Sequence, residues 1–224
     1  MSRRVVDSKT RKRRRSKFQS LLPVIIVGAA AVVILAILII PSLIKPNISR
    51  TSMSNQTSLG VASAPVKVEE FGDYQCPACG AFYVNLEPTL VKDYINPGKV
   101  YFTFTAFSFI GPESIQAAQA AYCAMDQNKF WEYHDALYNN QRGENQGGFS
   151  NANLEGFAQT LGLNMDQFKS CLEGGKYNQL VQDNVVYGNN QNIQQTPSFL
   201  VDGKLVYQDT LLATIDAELK TKGQ

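Results

Sequence analysis

The chain has 224 residues with 21 Lys and Arg against 19 Asp and Glu, a length suited to one ordinary globular domain plus accessory segments. Nine of the bases (Arg3, Arg4, Lys9, Arg11, Lys12, Arg13, Arg14, Arg15 and Lys17) crowd the start, where Asp7 is the single acid; from Lys45 onward 12 bases face 18 acids. The near-neutral total thus hides a basic tail and an acidic domain; such a basic run suits nucleic acid, but the uncharged segment that follows it decides against that partner.

Leu21 to Ile40 (LLPVIIVGAAAVVILAILII) carries no charge and, as a helix, is about 30 Å long, the thickness of a bilayer hydrocarbon core. Pro23 falls in the first turn, where its missing N–H is harmless, and Gly28 is tolerated in a membrane helix. The pattern predicts a basic cytoplasmic tail over 1–20 and a transmembrane helix over 21–44. By the positive-inside rule the remainder is then extracytoplasmic, as in a single-pass protein of the cell membrane. Ala62-Ser63-Ala64 has the small-x-small form of a signal cleavage site, but it lies about twenty residues beyond an apolar segment too long for a signal peptide, so an uncleaved anchor is expected.

Residues 45–63 (KPNISRTSMSNQTSLGVAS) are polar, lack apolar periodicity and read as a flexible linker. Their triplets Asn47-Ile48-Ser49 and Asn55-Gln56-Thr57 fit the glycosylation pattern, which arises by chance in such segments. The ordered domain is expected over 64–224. Val66 to Phe71 alternates as a half-buried strand before Gly72 and Asp73. Pro77 suits the first position of a helix that Pro88 should kink and that ends near Asn96-Pro97-Gly98. Lys99 to Phe109, dense in aromatics, Thr and Val, reads as a central strand. From about 112 to 192 the pattern is helical, with room for four or five short helices. Pro197 to Val201, Asp202-Gly203 and Lys204 to Tyr207 form strand, tight turn and strand, and Leu211 to Leu219 a closing helix. No repeat of solenoid period and no Gly-rich phosphate loop occurs, so no organic cofactor is expected.

The four cysteines are Cys76, Cys79, Cys123 and Cys171. Cys76-Pro77-Ala78-Cys79 sits where a strand gives way to a helix, which puts the Cys76 sulfur beside unpaired N–H groups and the positive end of the helix dipole. A free thiol has a pKa of about 8.5, and cysteines so placed fall to roughly 3.5 to 7, so Cys76 is expected as the reactive thiolate and Cys79 as its less acidic partner. A stabilised Cys76 thiolate is a good leaving group, which makes the Cys76–Cys79 disulfide oxidising; the spacing does not fix the direction of exchange. Zinc would require a second close pair or several histidines, whereas Cys123 and Cys171 lie far apart and His134 is the only histidine. A metallochaperone holding copper(I) through the two thiolates is the rival from another class.

The segment Glu69-Glu70-Phe71, then Asp73-Tyr74-Gln75-Cys76-Pro77-Ala78-Cys79-Gly80, the aromatic stretch Lys129 to Tyr138, and the distant Thr196-Pro197-Ser198-Phe199 together resemble the DsbA-like branch of the thioredoxin superfamily, over roughly Pro65 to Lys220. That resemblance implies an α/β, thioredoxin-like fold with an inserted helical block, here preceded by one N-terminal transmembrane helix. It implies that Pro197 is a cis-proline against the redox pair and that Thr196 offers backbone groups to an extended substrate, beside Pro77 and Ala78. Glu70 falls where the family often buries an acid, as a proton acceptor for Cys79, with Glu69 the rival if the register shifts by one. The implied partners are reduced secreted or envelope proteins and, for recycling, a membrane quinone-linked oxidase of DsbB or VKOR type. Pro77-Ala78 lacks the histidine of the best-known oxidases, which keeps disulfide reductase or isomerase duty as the alternative to a dithiol oxidase.

Cys123 and Cys171 both fall in the helical block, where a structural disulfide is the natural reading and two buried thiols or a second redox relay the alternatives. His134 reads as packed among Trp131, Tyr133 and Tyr138 rather than catalytic. Tyr74 and Phe109 either edge the active-site surface or join the core.

Overall fold

The computed structural model describes Arg50 and residues 56–224. The basic tail, the predicted membrane span and residues 45–49 and 51–55 of the predicted linker lie outside the described residues. Among the described residues no helix is long and apolar enough to cross a membrane.

The described sheet runs in the order β1-β3-β2-β4-β5. Its centre is β2 (Val66–Gly72), parallel to β3 (Val100–Ala106), with Val66 opposite Val100 and Gly72 opposite Ala106. Parallel neighbours need a crossover, and the helical run after Cys76 supplies it. α1 (Pro77–Asn85) stops at Leu86, then α2 (Glu87–Leu90) and a π-helical turn (Val91–Ile95) complete the passage. Pro88 has no N–H to continue the ladder of α1, which accounts for the break. β4 (Ser198–Val201) pairs antiparallel with β2, and β5 (Lys204–Tyr207) with β4. Asp202 (φ 47°) and Gly203 (φ 82°) make the hairpin turn with the positive φ pair that their residue types favour.

The inserted block comprises α3 (Pro112–Met125), α4 (Phe130–Tyr138), α5 (Asn151–Thr160), α6 (Met165–Glu173) and α7 (Asn178–Asn190), and α8 (Leu211–Thr221) closes the domain. The two faces of β2 divide the core. Val66, Val68 and Glu70 look towards the main cluster, with Phe82, Phe102, Phe104 and Tyr138, while Phe71 joins Phe107, Ile193 and Leu200 in a second cluster under α7. α7 can lie that close because it presents Gly188, where a Cβ would stand 2.5 Å from the Phe107 ring. Cys123 of α3 and Cys171 of α6 are joined by a disulfide, with Cα atoms 5.8 Å apart.

Two expectations are corrected. The linker was expected to run to residue 63, but Ser58–Leu59 forms β1, paired antiparallel with Thr103 and Phe102 of β3, and Leu59 is fully buried. A two-residue strand has no periodicity to read. The strand expected over 99–109 ends at Ala106, because its neighbour β2 ends at Gly72: Phe107 N–H still bonds the Gly72 carbonyl at 2.8 Å, and beyond it the chain turns onto the Asp73 side chain.

The described chain upstream of β1 also contributes to the core. The Arg50 guanidinium grips Asp135 through both terminal nitrogens (2.7 and 2.8 Å) and Glu87 at 2.7 Å, and lies over the Trp131 ring. Arg50 holds the Glu87 carboxyl below its usual range against the opposing push of burial. Such a charge is tolerated inside only while its partner is present.

Candidate functional site

Cys76 is the residue before the first turn of α1, in extended conformation (φ −66°, ψ 120°), with Pro77 opening the helix. Pro77 and Ala78 are exposed, Cys76 is nearly covered, and Cys79 is fully buried. Both cysteines are free thiols. The Cys76 thiol points at the Thr196 carbonyl oxygen, 3.3 Å away, and Thr196–Pro197 is a cis peptide. The loop before β4 is therefore packed on the sulfur, bringing together residues 120 positions apart in sequence.

The two sulfurs differ sharply. A hydrogen bond from the Cys79 thiol, opposed by burial and aided by the Cys79 and Ala78 backbone N–H groups, brings the Cys76 pKa down to about 6. Burial, then the hydrogen bond and charge of Cys76 and the charge of Glu70, push the Cys79 thiol well above its ordinary range. One sulfur is thus an exposed-side anion at neutral pH and the other a buried thiol. That is the asymmetry thiol-disulfide exchange needs, since the more stable thiolate is the better leaving group.

Glu70 lies mid-strand, opposite Phe104 of β3 and Phe199 of β4, and is 1% exposed. Neither of its carboxyl oxygens has a hydrogen-bond partner. Burial, then the charges of Glu87 and Cys76, raise its pKa well above the carboxylate range. Glu69 faces the other side of the sheet, accepting from Thr105 (2.5 Å) and Tyr187 (2.9 Å). The strand register therefore puts Glu70, not Glu69, on the side of the cysteine pair.

Sequence reasoning missed the polar frame behind the cysteine loop. Asp73, fully buried, accepts from the Gln75 backbone N–H (2.8 Å), the Ser114 hydroxyl (2.6 Å) and the Phe109 and Ile110 N–H groups (3.0 and 3.2 Å). Gln75 in turn donates to Ser114 and accepts from the Asn145 N–H, and the Gln141 side chain donates to the carbonyls of Tyr74 and Cys76. Asp73 and Gln75 stand in the quoted motif, so an acid three residues before Cys76 was the available signal; Gln141 and Asn145 sit in a loop without any pattern. Tyr74 is in the core, tilted against Phe104 and Tyr138, whereas Phe109 is 49% exposed. His134 is buried, within 3.2 Å of the Tyr74 hydroxyl.

Comparison with known proteins agrees with this geometry. Residues 52–220 match the family model described as Thioredoxin. The chain is 35% identical to the probable disulfide bond formation protein D of Bacillus anthracis, over 75% of this chain and 80% of that one, and 33% identical to disulfide bond formation protein D of Bacillus subtilis, over 76% and 80%. Among solved structures, oxidised BdbD from Bacillus subtilis superposes with a TM-score of 0.68 at 30% identity, covering 78% of this chain and all of that one. The matched region takes in every strand of the described sheet together with the cysteine pair, and the chain therefore belongs to the thioredoxin family, as a protein thiol-disulfide oxidoreductase of its DsbA-like branch.

Proposed function

We propose that the chain is an extracytoplasmic dithiol oxidase, anchored by the apolar segment Leu21 to Ile40 with its N-terminus in the cytoplasm, that introduces disulfides into translocated proteins. The observation that carries the oxidase direction is the contrast between a Cys76 thiol near pKa 6 and a Cys79 thiol held far higher. A stabilised thiolate lowers the free energy of the reduced pair and so makes the disulfide a stronger oxidant. The names of the Bacillus relatives, which speak of disulfide bond formation, support the same direction. The location rests on the basic tail before the apolar run, under the positive-inside rule.

In this reading a client thiolate attacks Cys76 Sγ of the disulfide, the Cys76–Cys79 bond breaks, and Cys79 leaves. Cys79 takes a proton, for which the buried Glu70 carboxyl is the neighbouring source. A second client thiolate then attacks the client sulfur of the mixed disulfide and releases Cys76 as thiolate. The client has lost two electrons and the pair has gained them. Thr196, beside cis-Pro197, presents backbone groups to the client segment, and exposed Pro77 and Ala78 meet its other side. A membrane quinone-linked oxidase of DsbB or VKOR type then removes the two electrons.

In Cys79→Ala the lone Cys76 thiolate attacks a client disulfide, and one client sulfur leaves as thiolate. With no Cys79 to attack the resulting bond, the client should be stranded on Cys76. Non-reducing gels of cells expressing the full-length variant are expected to show several secreted proteins as mixed disulfides. A single trapped protein would replace the general oxidase with a dedicated reductant, and no adduct at all would remove the reading.

A further inference from the structure

Two side-chain oxygens that approach Gly72, Glu70 Oε1 and the Tyr138 hydroxyl, are without hydrogen-bond partners. Both carboxyl oxygens of Glu70 and the hydroxyl of Tyr138 make no hydrogen bond, although Glu70 is 1% and Tyr138 6% exposed. Buried polar groups of native proteins almost always have a partner, protein or water. The Tyr138 ring is fixed where α4 ends, stacked on Tyr83 at 5.4 Å and set edge-on to His134 at 4.9 Å, so its hydroxyl has one direction to point.

That direction is defined by Gly72. The point a Cβ would take there lies 3.0 Å from Glu70 Oε1 and 3.0 Å from the Tyr138 hydroxyl. Both oxygens close in on that point together with the edge of the Phe104 ring, 2.6 Å from it, near enough to each other for a small rotation of the carboxyl or one bridging water to join them. Phenylalanine would pack against the same rings without burying a hydroxyl, so packing alone does not account for tyrosine.

We propose that Tyr138 is a positioning residue for Glu70, its hydroxyl donating, directly or through one water, to the Glu70 carboxylate whenever that group holds the charge exchanged with Cys79. The proposal rests on the reading of Glu70 as the proton partner of Cys79. When Cys79 leaves as thiolate it takes the Glu70 proton, and the carboxylate so formed receives the Tyr138 hydrogen bond. When Cys79 attacks, the proton returns to Glu70. Burial pushes the Tyr138 phenol well above its ordinary range, so it keeps its O–H to donate throughout.

A donor favours the charged form of Glu70, so removing it must raise the pH at which the carboxylate appears. The titratable groups facing Glu70 are Cys76, which caps α1, Cys79 of α1, Glu87 of α2, Tyr74 of the intervening loop and Tyr138; its neighbours on β3 and β4, Phe104 and Phe199, are uncharged. Glu87 keeps its Arg50 partner, and with Cys76 held in a mixed disulfide only Cys79 and Glu70 change charge in the step concerned.

The test uses the full chain carrying glutathione on Cys76. Cys79 attacks Cys76 Sγ, the bond to glutathione breaks, and glutathione leaves as thiolate while Glu70 takes the Cys79 proton. The release rate should climb with pH along a limb set by Glu70. Tyr138→Phe is expected to move that limb up by about one pH unit, slowing release roughly tenfold along it, with the plateau and Tm unchanged. In a Glu70→Gln background the same substitution should add nothing, and 3-fluorotyrosine at 138, a stronger donor, should move the limb down. If Glu70→Gln loses the limb while Tyr138→Phe superimposes on the parent, the role of Tyr138 is refuted and that of Glu70 stands. If Glu70→Gln keeps the limb, the reading of Glu70 itself is lost. A Tyr138→Phe shift that persists without Glu70 overturns the coupling.

Discussion

Cys76→Ser is expected to abolish dithiol oxidation, by a factor on the order of 10³ or more, and Cys79→Ser to do the same while leaving a thiol that still reacts. The two losses have different physical causes. Without Cys76 the client has no accessible sulfur to attack, because Cys79 is fully buried beneath it. Without Cys79 there is no disulfide to offer, yet serine still supplies a donor to the remaining Cys76 thiolate. Alkylation separates the cases. At neutral pH a thiol of pKa about 6 is largely ionised, whereas one that burial pushes well above the ordinary cysteine range stays protonated. The lower basicity of the Cys76 anion offsets part of this gap, and the burial of Cys79 widens it again. Cys76 in the Cys79→Ser variant should therefore react with iodoacetamide at least about tenfold faster than Cys79 in the Cys76→Ser variant. Equal rates would mean that the two sulfurs are not unequal in the way described.

The second large effect falls on stability. The Cys123–Cys171 bond closes a loop with a sequence separation of 48 between α3 and α6. In the chain-entropy model, opening such a loop costs about 4 kcal/mol, because the unfolded chain regains the freedom that the bond removes. For a domain of this size the double substitution Cys123→Ala/Cys171→Ala should lower Tm by roughly 10 °C. Dithiol turnover at a temperature where the variant is folded should be unchanged, because the bond lies in the helical block and does not take part in the exchange proposed for Cys76 and Cys79. A folded variant that turns over poorly would assign the second pair a redox role. An unchanged Tm would mean that the helices hold together without it.

What the sequence announced, and what it did not, follows from the range of each signal. Cys76-Pro77-Ala78-Cys79, the break at Pro88, the Asp202-Gly203 turn and the helical block are all local patterns, readable from neighbours a few residues apart. The choice between Glu69 and Glu70 is not local: it depends on the register that sets Glu70 opposite Phe104 and Phe199. Glu87 and Asp135 look like helix-surface acids until Arg50, distant in the chain, is found between them. Asp73 likewise gains its meaning from Phe109, Ile110 and Ser114, which the fold brings to it. Tyr138 stood in an aromatic stretch that suggested only packing, and its hydroxyl acquires a direction through the missing side chain of Gly72.

All of the chemistry proposed for this chain requires Cys76 to be an anion at neutral pH. Ultraviolet absorbance of the thiolate in the reduced protein, followed through an acid titration, measures this directly, with Cys76→Ser as the blank. A single transition centred near pH 6, absent from the blank, is the expected result. A midpoint near 8.5, the value of an unperturbed cysteine, would contradict it.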